Sequence, residues 1–273
     1  SECLVGSEMC IRARLETYAS SPLGRDLCRN LVPSIDVHEI RQMQKETSDA
    51  LTRVRQKGSI SFTGLKDVGG SLKRLEIGSS LNITELLAIS SMLTIAARAK
   101  AYGRHEDDDE YEDSLEEMFR LLEPLTPLNN EIKRCILSED EISDEASPGL
   151  HKVRRSMKAI NDKVHSQLNA ILNSNRTYLQ DAVITMRDGR YCLPVKSEYK
   201  SQVPGMVHDQ SSTGSTLFIE PMAVIQLNNQ LRELEIQEKK EIEAVLADLS
   251  NQTAPYTAVS YTHLRAHETL ANL

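Results

Sequence analysis

The chain contains no tryptophan, and only 4% of its residues are aromatic. A core without large rings has to be built from Leu, Ile and Val, which suits packed helices. No run of about 18 apolar residues occurs, so the sequence holds no transmembrane helix. Five cysteines, at 3, 10, 28, 135 and 192, show no CxxC spacing and are odd in number. They suggest neither a disulfide framework nor a zinc site, and a reduced, cytoplasmic protein is the expectation. The first ten residues have no basic start and no adequate apolar centre, so they do not read as a signal peptide. GxxxxGK[ST], GxSxG and HExxH are all missing, which removes the usual signatures of nucleotide, acyl-enzyme and zinc-hydrolase chemistry. The chain by itself is therefore read as non-enzymatic, with no cofactor and no metal site.

Charge is unevenly placed. The formal net charge is −8, which does not advertise a nucleic-acid binder. Yet between His151 and Lys200 ten basic residues face only four acidic ones, while the stretch from His105 to Leu150 is heavily acidic. A positive element on an acidic body is the expectation.

Two apolar stripes of helical period stand out. After Ser147, an N-cap followed by Pro148 at the first helical position, apolar residues fall at Leu150, Val153, Met157, Ile160, Val164, Leu168 and Leu172. After Glu220-Pro221, read as the opening of a second helix, they fall at Val224, Leu227, Leu231, Leu234, Ile242, Val245 and Leu249, with Glu238 interrupting the seam. Between them Tyr178–Pro221 reads as strand. Ala182–Met186 is short and partly β-branched, Asp188-Gly189 supplies a tight turn, and Arg190–Lys196 runs back. Pro194 places that second strand at an edge or a bulge. Met206–His208 and Leu217–Ile219 suggest two more strands, joined by the polar loop Asp209–Gly214. The fold class expected is mainly α: a helical domain plus a long antiparallel helical stalk carrying a small antiparallel β tip. A helix of about 26 residues is roughly 40 Å long, which would hold the tip well out.

Upstream, Arg14–Ala19 reads as a short helical piece, and Ser21-Pro22 starts a helix that ends before Pro33. Asp36 with Glu39, and Asn82 with Glu85, have capping-box spacing. The helix after Asp36 carries Ile40, Met43, Leu51 and Val54 on one face and stops at Gly58. Helices are also expected near 72–77, 115–122 and 128–136, with an acidic connection over 139–146. The run Arg104–Glu110 reads as a solvated linker or helix start; its contiguous carboxylates lack the glycine of a calcium loop. Residues 1–12 and 258–273 have no clear relation to the helices beside them and resemble vector- or adapter-derived translations, so they are set aside. The division expected is a helical domain over 13–146 and a stalk with its β tip (178–221) over 147–257.

The residues singled out for binding are Arg187 and Arg190 at the hairpin turn, Lys196 and Lys200 after the next strand, and Gln210, Ser211, Ser212 and Thr213 in the polar loop. Cations with hydroxyls and amides suit recognition of a phosphate backbone. Each is equally readable as a solvated charge or a turn residue. Tyr191 and Tyr199 offer faces for bases or for packing in the sheet. His208, Asp209, Ser211 and Ser212 are the residue types of a hydrolytic triad, but neighbours on a strand point to opposite faces, so catalysis is not read there.

The run GRYCLPVKSEYK, followed by GMVHDQSSTGSTLFIEPMAVIQLNNQLRELEIQEKKEI, resembles the second bacterial MutS paralogue family, MutS-like proteins without a mismatch-reading domain. YASSPLG, ETSDAL and ASPGLHKVRR resemble the same family's N-terminal region, and the likeness covers about residues 13–257. It implies a helical core and lever with an inserted clamp, and a homodimer closing around nucleic acid. It also implies a following ATPase domain using ATP and Mg, and a C-terminal nuclease domain. The expected function is a nucleic-acid-binding clamp and lever, in a parent acting on recombination intermediates or stalled ribosomes. DNA or ribosomal RNA is then the partner, and a membrane is not. A helical protein-interaction or dimerisation module without nucleic-acid contact is the alternative.

Overall fold

The computed structural model describes residues 2–19, 22–104 and 113–262. It is mainly helical, with two small antiparallel sheets. The chain forms two compact units, Ser1–Ser143 with Val245–Leu273, and Asp144–Ala244.

The first unit is helical. It contains α1 (Glu2–Glu16), α2 (Pro22–Asn30), α3 (Val37–Lys57), α4 (Gly69–Glu76), α5 (Ile83–Gly103), α6 (Glu116–Arg120) and α7 (Thr126–Cys135). The helix α5 is its centre: Leu86, Ile89, Met92, Leu93 and Ala96 are fully buried, as its apolar composition requires. It opens on the expected capping box, in which the Asn82 side chain accepts from the Glu85 amide and Glu85 accepts from the Asn82 amide. The other expected box is not made. Asp36 does cap α3, but it accepts from the amide of His38, and the Glu39 carboxylate is engaged by the Ser34 hydroxyl instead. Gly58 closes α3 with φ of 79°, a conformation suited to glycine. The connection 139–146 is not merely acidic coil. A small hairpin, β1 (Ile136–Ser138) with β2 (Glu141–Ile142), buries Ile136 and Ile142 before a 3₁₀ turn over Asp144–Ala146. The segment 1–12, set aside on sequence grounds, is largely helical within α1. Ser21, the acidic positions 105–110 and the tail beyond residue 262 lie outside the described residues.

The second unit holds α8 (Pro148–Ser174), β3 (Thr185–Arg187), β4 (Arg190–Lys196), β5 (Gly205–Gln210), β6 (Thr216–Pro221) and the start of α9 (Ile225–Thr253). Ser147 caps α8, its hydroxyl accepting from the Leu150 amide at 3.0 Å, with Pro148 in the first turn. The sheet order is β3-β4-β6-β5, antiparallel throughout. Leu193, Val195, Leu217 and Ile219 point from one sheet face onto Val164, Leu168 and Leu172 of α8. The sheet thus packs on the second half of α8, and Val195 and Lys196 reach the chain just after it, at Leu179 and Thr177. Nearer its N-terminus α8 meets α9: Arg154 Nε lies 2.7 Å from Glu238 Oε1, and Gly149 abuts the Glu241 carboxylate. The partner numbers fall as the α8 numbers rise, so the two helices run antiparallel there.

Three strand expectations need correction. The first strand starts at Thr185, not Ala182, because the preceding chain is diverted by a bridge from Leu179 to Val195. Strand β4 is interior by order, not an edge. Its pairing with β3 stops at Cys192, however, so Pro194 meets no β3 residue, and its carbonyl accepts from the Gln180 amide at 2.9 Å. Glu220-Pro221 does not open a helix. Both residues finish β6, opposite Met206 and Gly205, and a 3₁₀ turn over Met222–Val224 precedes α9.

Candidate nucleic-acid interface

The sheet face away from α8 carries polar residues. Alternation along β6 sends Leu217 and Ile219 into the core and Glu220 to the other side. Glu220 is nevertheless fully buried. Its Oε1 accepts from Arg190 Nη1 at 2.8 Å and from Asn228 Nδ2 at 2.7 Å; its Oε2 is 2.6 Å from His208 Nε2. Burial opposes the charge, but hydrogen bonds from Asn228, His208 and Arg190 outweigh it and hold this carboxyl below the usual range. Arg190 also donates to Asn229 Oδ1 at 2.6 Å. Asn228 in turn joins the backbone of Tyr191, its Nδ2 donating to the Tyr191 carbonyl at 3.3 Å. One carboxylate therefore ties β4, β5 and β6 to the first turn of α9. The neighbouring Cys192 is inert: burial first, and the Glu220 charge second, push its thiol up to about 11.

A bulge between Val207 and Asp209 sets both His208 and Asp209 on the sheet face that carries Phe218 and Glu220. His208 turns to Glu220, while Asp209 Oδ2 lies 2.9 Å from Arg187 Nε. Neither orients the other. The Arg187 guanidinium also stacks 3.8 Å from the centre of the Phe218 ring.

The residues singled out by sequence separate into two places. Arg187 and Arg190 face each other across the Asp188-Gly189 turn, where both φ angles are positive. Lys196 is at the other end of β4, six residues or roughly 20 Å away along the strand. It pairs with Thr216, and Ser197 donates its amide to Ser215 O at 3.0 Å. The loop Ser211–Ser215 is thereby set beside Lys196, with exposed Lys200 on the following 3₁₀ turn. Lys196 Nζ reaches Thr177 O at 3.3 Å. The loop braces itself: Ser211 Oγ accepts from the Thr216 amide at 3.1 Å, and Thr213 Oγ1 lies 2.8 Å from Ser215 Oγ. Gln210, Ser212 and Thr213 are exposed at its rim. Tyr191 and Tyr199 pack within the unit, against His165 at 4.9 Å and Tyr178 at 5.1 Å between ring centres.

Sequence reading overlooked the Glu220 node. Its signal was present: a carboxylate in the apolar run TLFIEP, followed by the paired amides Asn228-Asn229 in the first turn of the next helix. Among the described residues, no group of three or more His, Cys, Asp or Glu could hold a metal ion, and no helix is long and apolar enough to cross a membrane.

The arrangement is a small sheet braced on long helices, with cations at both ends of one strand. No protein-family model matches the chain. Curated relatives do. It is 56% identical over 248 residues to the protein named Endonuclease MutS2 of Lachnoclostridium phytofermentans, covering 88% of this chain and 31% of that one. It is also 56% identical over 246 residues to Endonuclease MutS2 of Agathobacter rectalis, covering 89% and 31%. For that of Clostridium botulinum strain Alaska E43 the identity is 44% over 240 residues, covering 88% and 31%. The chain belongs to the MutS2 family, and spans about a third of the length of the relatives it matches.

Proposed function

We propose that the second unit is a clamp and lever element that contacts nucleic-acid phosphates in a longer MutS-family protein. The observation that carries this reading is the grouping of Lys196 and Lys200 beside the Ser211–Ser215 turn. A self-braced hydroxyl turn holds its shape without a ligand, and two lysines next to it supply the charge that phosphate contact needs. Exposed Lys152, Arg155 and Lys163 on the outer side of α8 add to the positive field. Arg187 and Arg190 have another role in this reading. Arg190 positions the strands through Glu220, and Arg187 shields Phe218. The antiparallel contacts Gly149–Glu241 and Arg154–Glu238 support α8 and α9 as a two-helix stalk.

The names of the relatives support an endonuclease parent. In this proposal, the rest of the parent supplies the ATPase, with ATP and Mg, and the nuclease, and a homodimer closes the clamp on DNA or on ribosomal RNA in the cytoplasm. The test replaces Lys196 and Lys200 with Ala in the full-length protein, with the present chain as a low-affinity control. If each lysine meets one duplex phosphate, the slope of log K against log salt should flatten by about 1.8, from roughly 0.9 per phosphate. Affinity should fall alike for unrelated sequences. An unchanged slope and affinity would overturn the proposal and favour a helical module that binds only protein.

A further inference from the structure

The helix α3 is amphipathic in the wrong sense for a free surface helix. Its core side is charged: Asp49 and Arg53 are 2% and 4% exposed. Arg53 pairs with Asp113, and Asp49 Oδ2 accepts from the Ser114 amide at 2.8 Å and hydroxyl at 2.7 Å. Its apolar side faces outward. Ile40, Met43, Leu51 and Val54 recur at helical spacing, and Met43, Leu51 and Val54 are 43%, 50% and 41% exposed. At 100° per residue this stripe lies opposite Asp49 and Arg53. The connecting segment Leu31–Asp36 leads into it with Val32 72% and Ile35 98% exposed. At the N-terminal half of the stripe a groove of about 480 Å³ is lined by Leu31, Val32, Pro33, Ile40 and Met43.

We infer that this stripe, with the groove at its N-terminal half, is the seat of an amphipathic helix from the rest of the longer protein proposed above. The relatives are about three times as long as the region matched, which leaves roughly two-thirds of such a protein to provide the cover. From Ile40 to Val54 the stripe runs about 21 Å at 1.5 Å per residue, a length that a helix of about 14 residues would match. Its chemistry asks for apolar side chains at i, i+3, i+4 and i+7. A stripe of four side chains falls short of the about 20–30 residues per side of a stable free complex. A segment on the same polypeptide needs less, because a tether that spans the distance raises its effective concentration. A second copy of the chain has no such advantage.

The test compares amide hydrogen exchange over residues 37–57 in the present chain and in the full-length protein, each with and without the double substitution Met43→Glu/Leu51→Glu. Exchange over α3 should be at least ten-fold slower in the full-length protein, and the substitution should remove that difference. In the present chain the same substitution should leave the melting midpoint unchanged, which shows that the fold tolerates it. Equal exchange in the two wild-type proteins would overturn the inference. So would protection that grows with the concentration of the present chain alongside dimer formation in sedimentation, because a second copy would then be the occupant.

Discussion

Arg190→Ala separates the structural role of this arginine from a binding role. It takes away the guanidinium partner of the buried Glu220, with His208 and Asn228 remaining. Removing one member of a buried ion pair costs about 3–5 kcal/mol. The Arg190 side chain is 29% exposed, which screens the pair and places the expectation near the lower end, at about 3 kcal/mol. For a unit of this size that corresponds to a fall of roughly 12–24 °C in the melting midpoint. Thermal melting followed by circular dichroism reads it directly. The dependence on pH carries a second signature. Hydrogen bonds depress the Glu220 carboxyl, so its contribution to stability is present above the unfolded value, near about 4.3, and is lost as pH falls through the folded value. The gap between wild type and Arg190→Ala should therefore be full at neutral pH and close in acid. A variant that melts with wild type at pH 7, yet has a flatter salt dependence of nucleic-acid binding, would refute the reasoning and return Arg190 to the phosphate-binding set.

Gly205→Ala should destabilise the second unit by several kcal/mol, because the added Cβ would lie 2.1 Å from the Glu220 carbonyl oxygen and 2.7 Å from Ile219 Cγ2; a denaturant midpoint equal to wild type would contradict the tight β5–β6 contact. Cys192 should resist iodoacetamide at pH 8 in the folded chain while exposed Cys10 reacts, since a buried thiol raised to about 11 holds almost no thiolate there; mass mapping of the labelled sites decides it. Leu231→Asp should cost several kcal/mol, because Leu231 is only 8% exposed on α9, and an unchanged melting temperature would count against its burial.

The long helices were legible because their signals are local. Ser147-Pro148 and Asn82 with Glu85 start α8 and α5 as read, since a cap is settled within four residues. Asp36 shows the limit: its box failed because Ser34, two residues outside the pattern, took Glu39. The strands β4, β5 and β6 were found from short apolar runs and the Asp188-Gly189 turn. Glu220-Pro221 was misread because proline after a carboxylate is also a helix-start signal, and only the tertiary neighbours Arg190, His208 and Asn228 decide between the two. The same is true of the binding residues. Sequence placed four cations near one module, but the pairing of Lys196 with Thr216, and of Arg187 with Arg190, put them at opposite ends of a strand. On α3 the apolar stripe was read correctly, and the direction it faces was not legible, because the buried Arg53–Asp113 partnership spans 60 residues.

The contact between Arg154 and Glu238 has a consequence for the order of assembly. It joins residues 84 apart. Closing a flexible loop of that length costs about 4 kcal/mol in chain entropy beyond a constant. The β3–β4 hairpin closes across two turn residues, and β5–β6 across the short Ser211–Ser215 turn. Local hairpins therefore form early, and each shortens the free loop that remains between α8 and α9. On this ground the two helices are expected to meet after the sheet has formed, and substitutions at the Arg154–Glu238 contact should speed unfolding far more than they slow folding.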